Sequence, residues 1–119
     1  MSAALALANH YFELSNARDL DAIGRLFTAS STYSSVHTGV YLGAADIMAM
    51  QRGFFAAHHA LHWAVLSVEE IRPQVCLFDF ALTGATMDGD AVVGRGHEYV
   101  VVYDSRLQHV EVRTHPEDA

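Results

Sequence analysis

Eight histidines in a chain of 119 residues are the feature of this sequence with the greatest chemical reach. Five of them, His37, His58, His59, His62 and His97, fall on segments expected to border a common interior. Imidazole exchanges a proton near neutral pH and needs a hydrogen-bond partner to set its tautomer. The densest group is His58-His59-Ala60-Leu61-His62, at the expected junction of a helix and a strand. Paired on a helix, His58 or His59 with His62 has the spacing of metal ligands, but no third ligand lies nearby in sequence, so no metal is expected. Histidines at a helix end also cap carbonyls and face water, the reading that fits His58 best.

Two further groups lie in the second half. Asp79 sits within Val75-Cys76-Leu77-Phe78-Asp79-Phe80-Ala81-Leu82-Thr83, where alternation puts Cys76, Phe78, Phe80 and Leu82 on one face and Asp79 on the other. A carboxylate buried alone between two phenylalanines is costly. Asp79 is therefore expected to face solvent or a subunit contact, to serve a pocket as a desolvated base, or to pair with Arg95 or His97. In Arg95-Gly96-His97-Glu98-Tyr99, His97 and Tyr99 share a face with Val101. There they would either hydrogen-bond a carbonyl oxygen as it becomes an enolate or satisfy each other in the interior. Glu98, on the opposite face, is expected at the surface or in a subunit contact. Tyr11, Tyr33, Ser35, His37 and Trp63 complete the expected lining, although Tyr11 and Trp63 serve equally well as plain core. Cys76 reads as structural, and Gly84, Gly89, Gly94 and Gly96 as turns and strand bends rather than a phosphate loop.

The elements that must position these groups change period along the chain. Leu5, Ala8 and Phe12, beside Leu7, Tyr11 and Leu14, define a first helix with a wide buried face. Asp19 caps a short second helix burying Leu20, Ile23 and Phe27. A polar β-prone stretch, Ser31 to Ser35, precedes a glycine-bounded piece from Thr38 to Gly43, and a third helix carries Ile47, Met50 and Phe54. Strands are then expected over Leu61–Ile71, Val75–Met87, Val92–Tyr103 and Leu107–Arg113, with Asp88-Gly89 as a two-residue hairpin turn and a frayed tail at His115-Pro116-Glu117-Asp118. Helices first and long antiparallel strands after make an α+β pattern, a curved sheet wrapped around three N-terminal helices in one domain over residues 1–119.

Composition narrows the partners. Hydrophobic residues make up 51% and charged ones 18%, which excludes disorder and leaves apolar surface for a pocket or a subunit contact. Net charge is −7 and lysine is absent, so neither nucleic acid nor an anionic membrane is expected as a partner. The lone Cys76 forbids an internal disulfide and fits a reducing compartment. The apolar opening, SAALALA, lacks a basic leader and reads as a helix start, so a cytoplasmic location is expected.

The order of elements, together with Tyr11-Phe12-Glu13, the run Arg18-Asp19-Leu20-Asp21-Ala22-Ile23-Gly24-Arg25-Leu26-Phe27, Gly39-Val40-Tyr41-Leu42-Gly43 and Tyr103-Asp104-Ser105-Arg106-Leu107, resembles the SnoaL-like branch of the nuclear transport factor 2-like superfamily. The resemblance implies a cone-shaped sheet around an internal pocket, chemistry without metal or nucleotide cofactor and, by likeness to the isomerase members, the face carrying His97 and Tyr99 turned to that pocket. It implies a catalytic histidine at the start of the strand after the third helix, where His59 matches best and His62 second. Dehydrochlorinase-like members partner that histidine with an aspartate, where this sequence has Asn16, which can orient an imidazole but not charge-stabilise it. The expected function is acid–base isomerisation, dehydration or cyclisation of a small apolar carbonyl compound. His59, His62, His97 or Asp79 would take the proton, and Tyr99, Tyr33 or Asn16 would hold the oxyanion. The alternative is a non-catalytic ligand-binding or dimerisation module of the same fold. Under either reading a homodimer through the outer sheet face is expected.

Overall fold

Ser2 starts the first helix by accepting the Leu5 N–H on its hydroxyl at 3.0 Å. α1 then runs over Ala3–Asn16 and buries Ala4, Ala8, Tyr11, Phe12 and Ser15, one stripe of the helix. Asp19 caps α2, Leu20–Gly24, through the Ala22 N–H at 3.1 Å. This helix buries Ile23 but ends sooner than expected, so Phe27 instead begins a strand, β1, Phe27–Ser35. A short β2, Gly39–Leu42, leads into α3, Ala44–Ala56, and four long strands follow: β3, His58–Arg72; β4, Val75–Thr86; β5, Ala91–Tyr103; and β6, Arg106–Thr114. The structure, a computed structural model, describes residues 1–114, and the tail expected at His115 to Asp118 lies outside the described residues.

The six strands form one curved, open sheet in the order β2-β1-β6-β5-β4-β3. Only β1 and β6 run parallel; every other neighbouring pair is antiparallel. The α+β architecture with helices against the concave face is the one anticipated from the order of elements. Its core joins Tyr11, Phe12 and Ile23 from the first two helices and Ile47 from α3 to Cys76, Phe78, Phe80, Val100, Val102 and Val110 from the sheet. The Phe12 and Phe78 rings stack with centroids 4.2 Å apart. No helix among the described residues is long and apolar enough to cross a membrane.

Two turns fix which face each side of β5 presents. The β5–β6 turn has two central residues, Asp104 and Ser105, with φ of 51° and 59°, while Tyr103 pairs with Arg106. That is the conformation a tight hairpin requires. The β4–β5 turn is not the two-residue turn suggested by Asp88-Gly89. The Thr86 N–H donates to the Asp90 carbonyl at 2.9 Å and Gly89 takes φ of 89°, which makes a three-residue loop of Met87, Asp88 and Gly89. The third position of such a loop is left-handed, and glycine supplies it without strain.

Candidate active site

The helices and the concave face leave a cavity of about 270 Å³ between them. Its walls are apolar: Phe12 from α1; Met50, Phe54 and Phe55 from α3; Trp63 from β3; Phe80 and Leu82 from β4. Its polar groups include Tyr11, Ser15, Tyr33, Ser35, Gln51 and Glu98, and Arg95 and Arg113 border it as well. His37, Thr38 and the largely exposed Val93 also border it.

Glu98 is the electrostatic centre of this cavity. Register places it in one cross-strand row with Ser35, Val112 and Phe78. It is 5% exposed and makes no hydrogen bond or ion pair with any described residue. No buried side-chain oxygen or nitrogen among the described residues is left stranded, so the Glu98 carboxyl is open to cavity space rather than sealed in protein. Burial in this apolar setting pushes its pKa up to about 8. Burial also raises Tyr33 well above the usual phenol range, and the nearby Glu98 carboxyl adds to the rise. Tyr11 is raised first by burial, then by its neighbours Tyr33 and Glu98. Gln51 Nε2 donates to the Tyr11 hydroxyl at 3.2 Å, which orients that phenol. The result is a neutral carboxylic acid and two neutral phenols facing an apolar chamber, a set able to donate hydrogen bonds to a developing oxyanion.

Backbone anchors hold the chamber's wall. Asn16 Oδ1 accepts the Trp63 N–H at 2.8 Å and its Nδ2 donates to the Trp63 carbonyl at 3.0 Å. The amide is thus spent pinning β3 to the end of α1, and it does not line the cavity. Arg18 donates to the carbonyls of Phe55 at 2.8 Å and His58 at 3.1 Å, tying the end of α3 to the start of β3. His58 does cap a helix end: its Nδ1 lies 2.7 Å from the Phe54 carbonyl and must donate there, which leaves Nε2 as the acceptor when the ring is neutral. It also borders the cavity.

The expected catalytic set does not gather. His59 and His62 are exposed on β3, whose strand begins at His58, so the helical spacing of a metal pair does not apply. Among the described residues no three His, Cys, Asp or Glu side chains group as metal ligands. Asp79, His97 and Tyr99 lie on the outer side of the sheet, opposite the buried positions Phe78, Phe80, Glu98 and Val100. There Arg95 Nη2 holds both Asp79 oxygens at 3.2 Å and His97 Nε2 stands 4.0 Å from Asp79 Oδ1, the cross-strand pairing named above as one alternative. Tyr11, Tyr33, Ser35, His37 and Trp63 do line the cavity. Sequence reasoning missed Glu98 by assigning β5 the wrong inner face. The available signal was on β4: Cys76, Phe78 and Phe80 share the apolar face, and the observed register sets Phe78 against Glu98 and Phe80 against Gly96.

Comparison with known proteins agrees with this architecture. The chain is similar in fold to a nuclear transport factor 2-like protein of unknown function from Burkholderia pseudomallei, at 12% identity and a TM-score of 0.85, over 99% of this chain and 95% of that one. It is similar to a candidate SnoaL-like polyketide cyclase from Shewanella putrefaciens, at 9% identity and a TM-score of 0.83, over 95% and 90% of the two chains. A third similar structure, a hypothetical protein of ketosteroid isomerase-like fold from Catenulispora acidiphila in complex with trimethylamine, has 12% identity and a TM-score of 0.81 over 92% and 85%. Identities this low speak for the fold alone. No curated protein matches the chain. The SnoaL-like domain pattern matches residues 8–112, from the middle of α1 into β6, and this chain belongs to that family.

Proposed function

We propose that the cavity binds one small, largely apolar carbonyl compound and that Glu98 exchanges a proton with it beside Tyr33. The observation that carries this reading is a carboxyl group buried without a protein partner yet open to an apolar chamber. An unpartnered buried carboxyl costs stability, and a ligand that completes its hydrogen bonding gives a reason for its presence. With a pKa of about 8, roughly one tenth of the Glu98 carboxyls are ionised at pH 7, at a free-energy cost of about 1.4 kcal/mol. The desolvated carboxylate takes a proton from the carbon next to the carbonyl. The electron pair of that C–H bond passes to the carbonyl oxygen, and the enolate accepts a hydrogen bond from Tyr33, which Tyr11 and Gln51 support. Return of the proton to a different carbon completes an isomerisation with no other reactant. Two of the similar structures bear names from carbonyl chemistry, polyketide cyclase and ketosteroid isomerase-like, which supports the reaction class and not a substrate.

The test is proton exchange at the carbon beside the carbonyl of a cyclic enone, followed by NMR in D₂O. Wild-type protein should accelerate exchange with a rate that rises through about pH 8 as Glu98 ionises, and Glu98→Gln should lose at least about a hundredfold of that rate. No acceleration by the wild type, or full activity in Glu98→Gln, overturns the catalytic reading. A second reading, ligand binding without turnover, has its own support. His59, His62, Asp79 and His97 all lie off the cavity, and Asn16 is engaged with the backbone. Enone binding with no exchange would favour it. For the assembled state we propose a homodimer through the outer sheet face, where half-buried Leu77, Tyr99 and Val101 lie among the charged pairs. Light scattering should give twice the chain mass for the wild type and a monomer for Tyr99→Glu.

A further inference from the structure

This inference rests on the cavity being the binding site and concerns the shape of what enters it. Gly94, Gly96 and Glu98 follow one another at alternate positions of β5, with no register shift against β4, and all three border the cavity. The inner face of the strand is therefore bare along the approach to the carboxyl. At Gly96 a Cβ would lie 2.7 Å from Phe80 Cζ and 3.0 Å from both Phe80 Cε1 and the Arg113 carbonyl oxygen. The Phe80 ring thus lies down across the glycine, where any side chain at 96 would force it up into the chamber. At Gly94 a Cβ would meet nothing within 4 Å, so that position faces open space. The floor beside Glu98 is a flat aromatic face continued by bare backbone, and Met50 and Phe54 of α3 line the same cavity.

We propose that Gly94 and Gly96 are the specificity-determining positions of this site, and that they admit a flat molecule of one to two fused rings whose carbonyl end reaches Tyr33, with the adjacent carbon at Glu98. A volume of about 270 Å³ lies just below the usual span for small-molecule pockets and suits a guest of that size. Flat rings pack on the Phe80, Phe54 and Trp63 faces with favourable offset or edge contacts.

The probes are cyclohex-2-enone, with one ring, and 1-tetralone, with two. Binding is read by fluorescence of Trp63, the chain's single tryptophan and part of the cavity wall. Gly94→Val adds its side chain in open space within a strand, so its melting temperature should equal or exceed that of the wild type. It should bind cyclohex-2-enone within about twofold of the wild type and 1-tetralone at least about tenfold more weakly, as a few lost apolar contacts dictate. Gly96→Ala should weaken both by raising Phe80; should it fail to fold, the Gly94→Val result decides alone. Equal binding of both ketones by Gly94→Val and wild type overturns the specificity proposal and leaves the site standing. If the wild type binds neither ketone, the functional reading falls and this proposal falls with it.

Discussion

Asp79 on β4 and Glu98 on β5 are near neighbours on one strand pair, but they point to opposite sides of the sheet. On the outside, Asp79 is held by Arg95 at 3.2 Å with His97 close by, in reach of water. On the inside, Glu98 has aromatic walls around it, no cationic partner, and a pKa raised to about 8. The outer carboxylate is paired with an arginine in reach of solvent, and such exposed pairs contribute little stability. The inner one gives up its charge at neutral pH because nothing in the protein replaces the lost water. Chemical potential here follows desolvation rather than residue type: the same functional group is a surface ion on one face and a proton donor or base on the other.

The comparison breaks most sharply under pH. Below about pH 4.5 Glu98 holds its proton whether the chain is folded or not. Between that and about pH 8 the folded state keeps a proton that the unfolded chain releases, so stability falls as pH rises, and it levels off above about 8. Denaturant midpoints from pH 5 to 9 should show this decline in the wild type. Glu98→Gln should flatten it and be more stable by a few kcal/mol at the alkaline end, whereas Asp79→Asn should leave the slope in place. Next in size is the wall that frames Glu98. Asn16→Ala removes both hydrogen bonds to Trp63 and should cost about 2 kcal/mol in chemical denaturation, together with a change in Trp63 fluorescence. Asn16→Asp keeps the acceptor for the Trp63 N–H but sets a carboxylate oxygen against the Trp63 carbonyl, so it should cost at least as much as the alanine variant and should not create a base in the cavity. A smaller effect is expected where β5 turns into β6. Ser105 holds φ of 59°, and Ser105→Gly should raise stability by roughly 1 kcal/mol in thermal melts by relieving that strain. Smallest of all, Arg95→Ala should shift the denaturation midpoint by less than about 1 kcal/mol, an amount that shrinks in high salt.

Much of the fold was legible because local signals agreed with one another. Ser2 and Asp19 cap their helices, the stripe through Ala8 and Phe12 is buried, and the four C-terminal strands fall close to their expected limits. The cavity lining was legible in part. Tyr11, Tyr33, Ser35, His37 and Trp63 lie where their elements place them. The acid–base group was not. His97 and Glu98 are adjacent in a strand, so one residue of register decides which enters the core. A two-residue turn at Asp88-Gly89 would pair Phe80 with His97, whereas the observed three-residue loop pairs Phe80 with Gly96 and Phe78 with Glu98. Both faces of β4 and β5 carry apolar residues, so alternation alone could not arbitrate. Asn16 illustrates a different limit: its position beside the pocket follows from the helix, but its commitment to the Trp63 backbone depends on a strand 47 residues away.

The sequence by itself determined the α+β order of helices and strands, the family likeness, the aromatic character of the interior and two tyrosines that face it, Tyr11 and Tyr33, but not the outward side of Tyr99. Period, capping and composition are local properties, and they survive without knowledge of partners. Only the tertiary structure decided which carboxylate is desolvated, which histidines stay in water, and that glycines at 94 and 96 clear a flat floor beside Glu98. Those outcomes depend on cross-strand register and enclosure, where a shift of one residue exchanges inside for outside and water for an apolar wall.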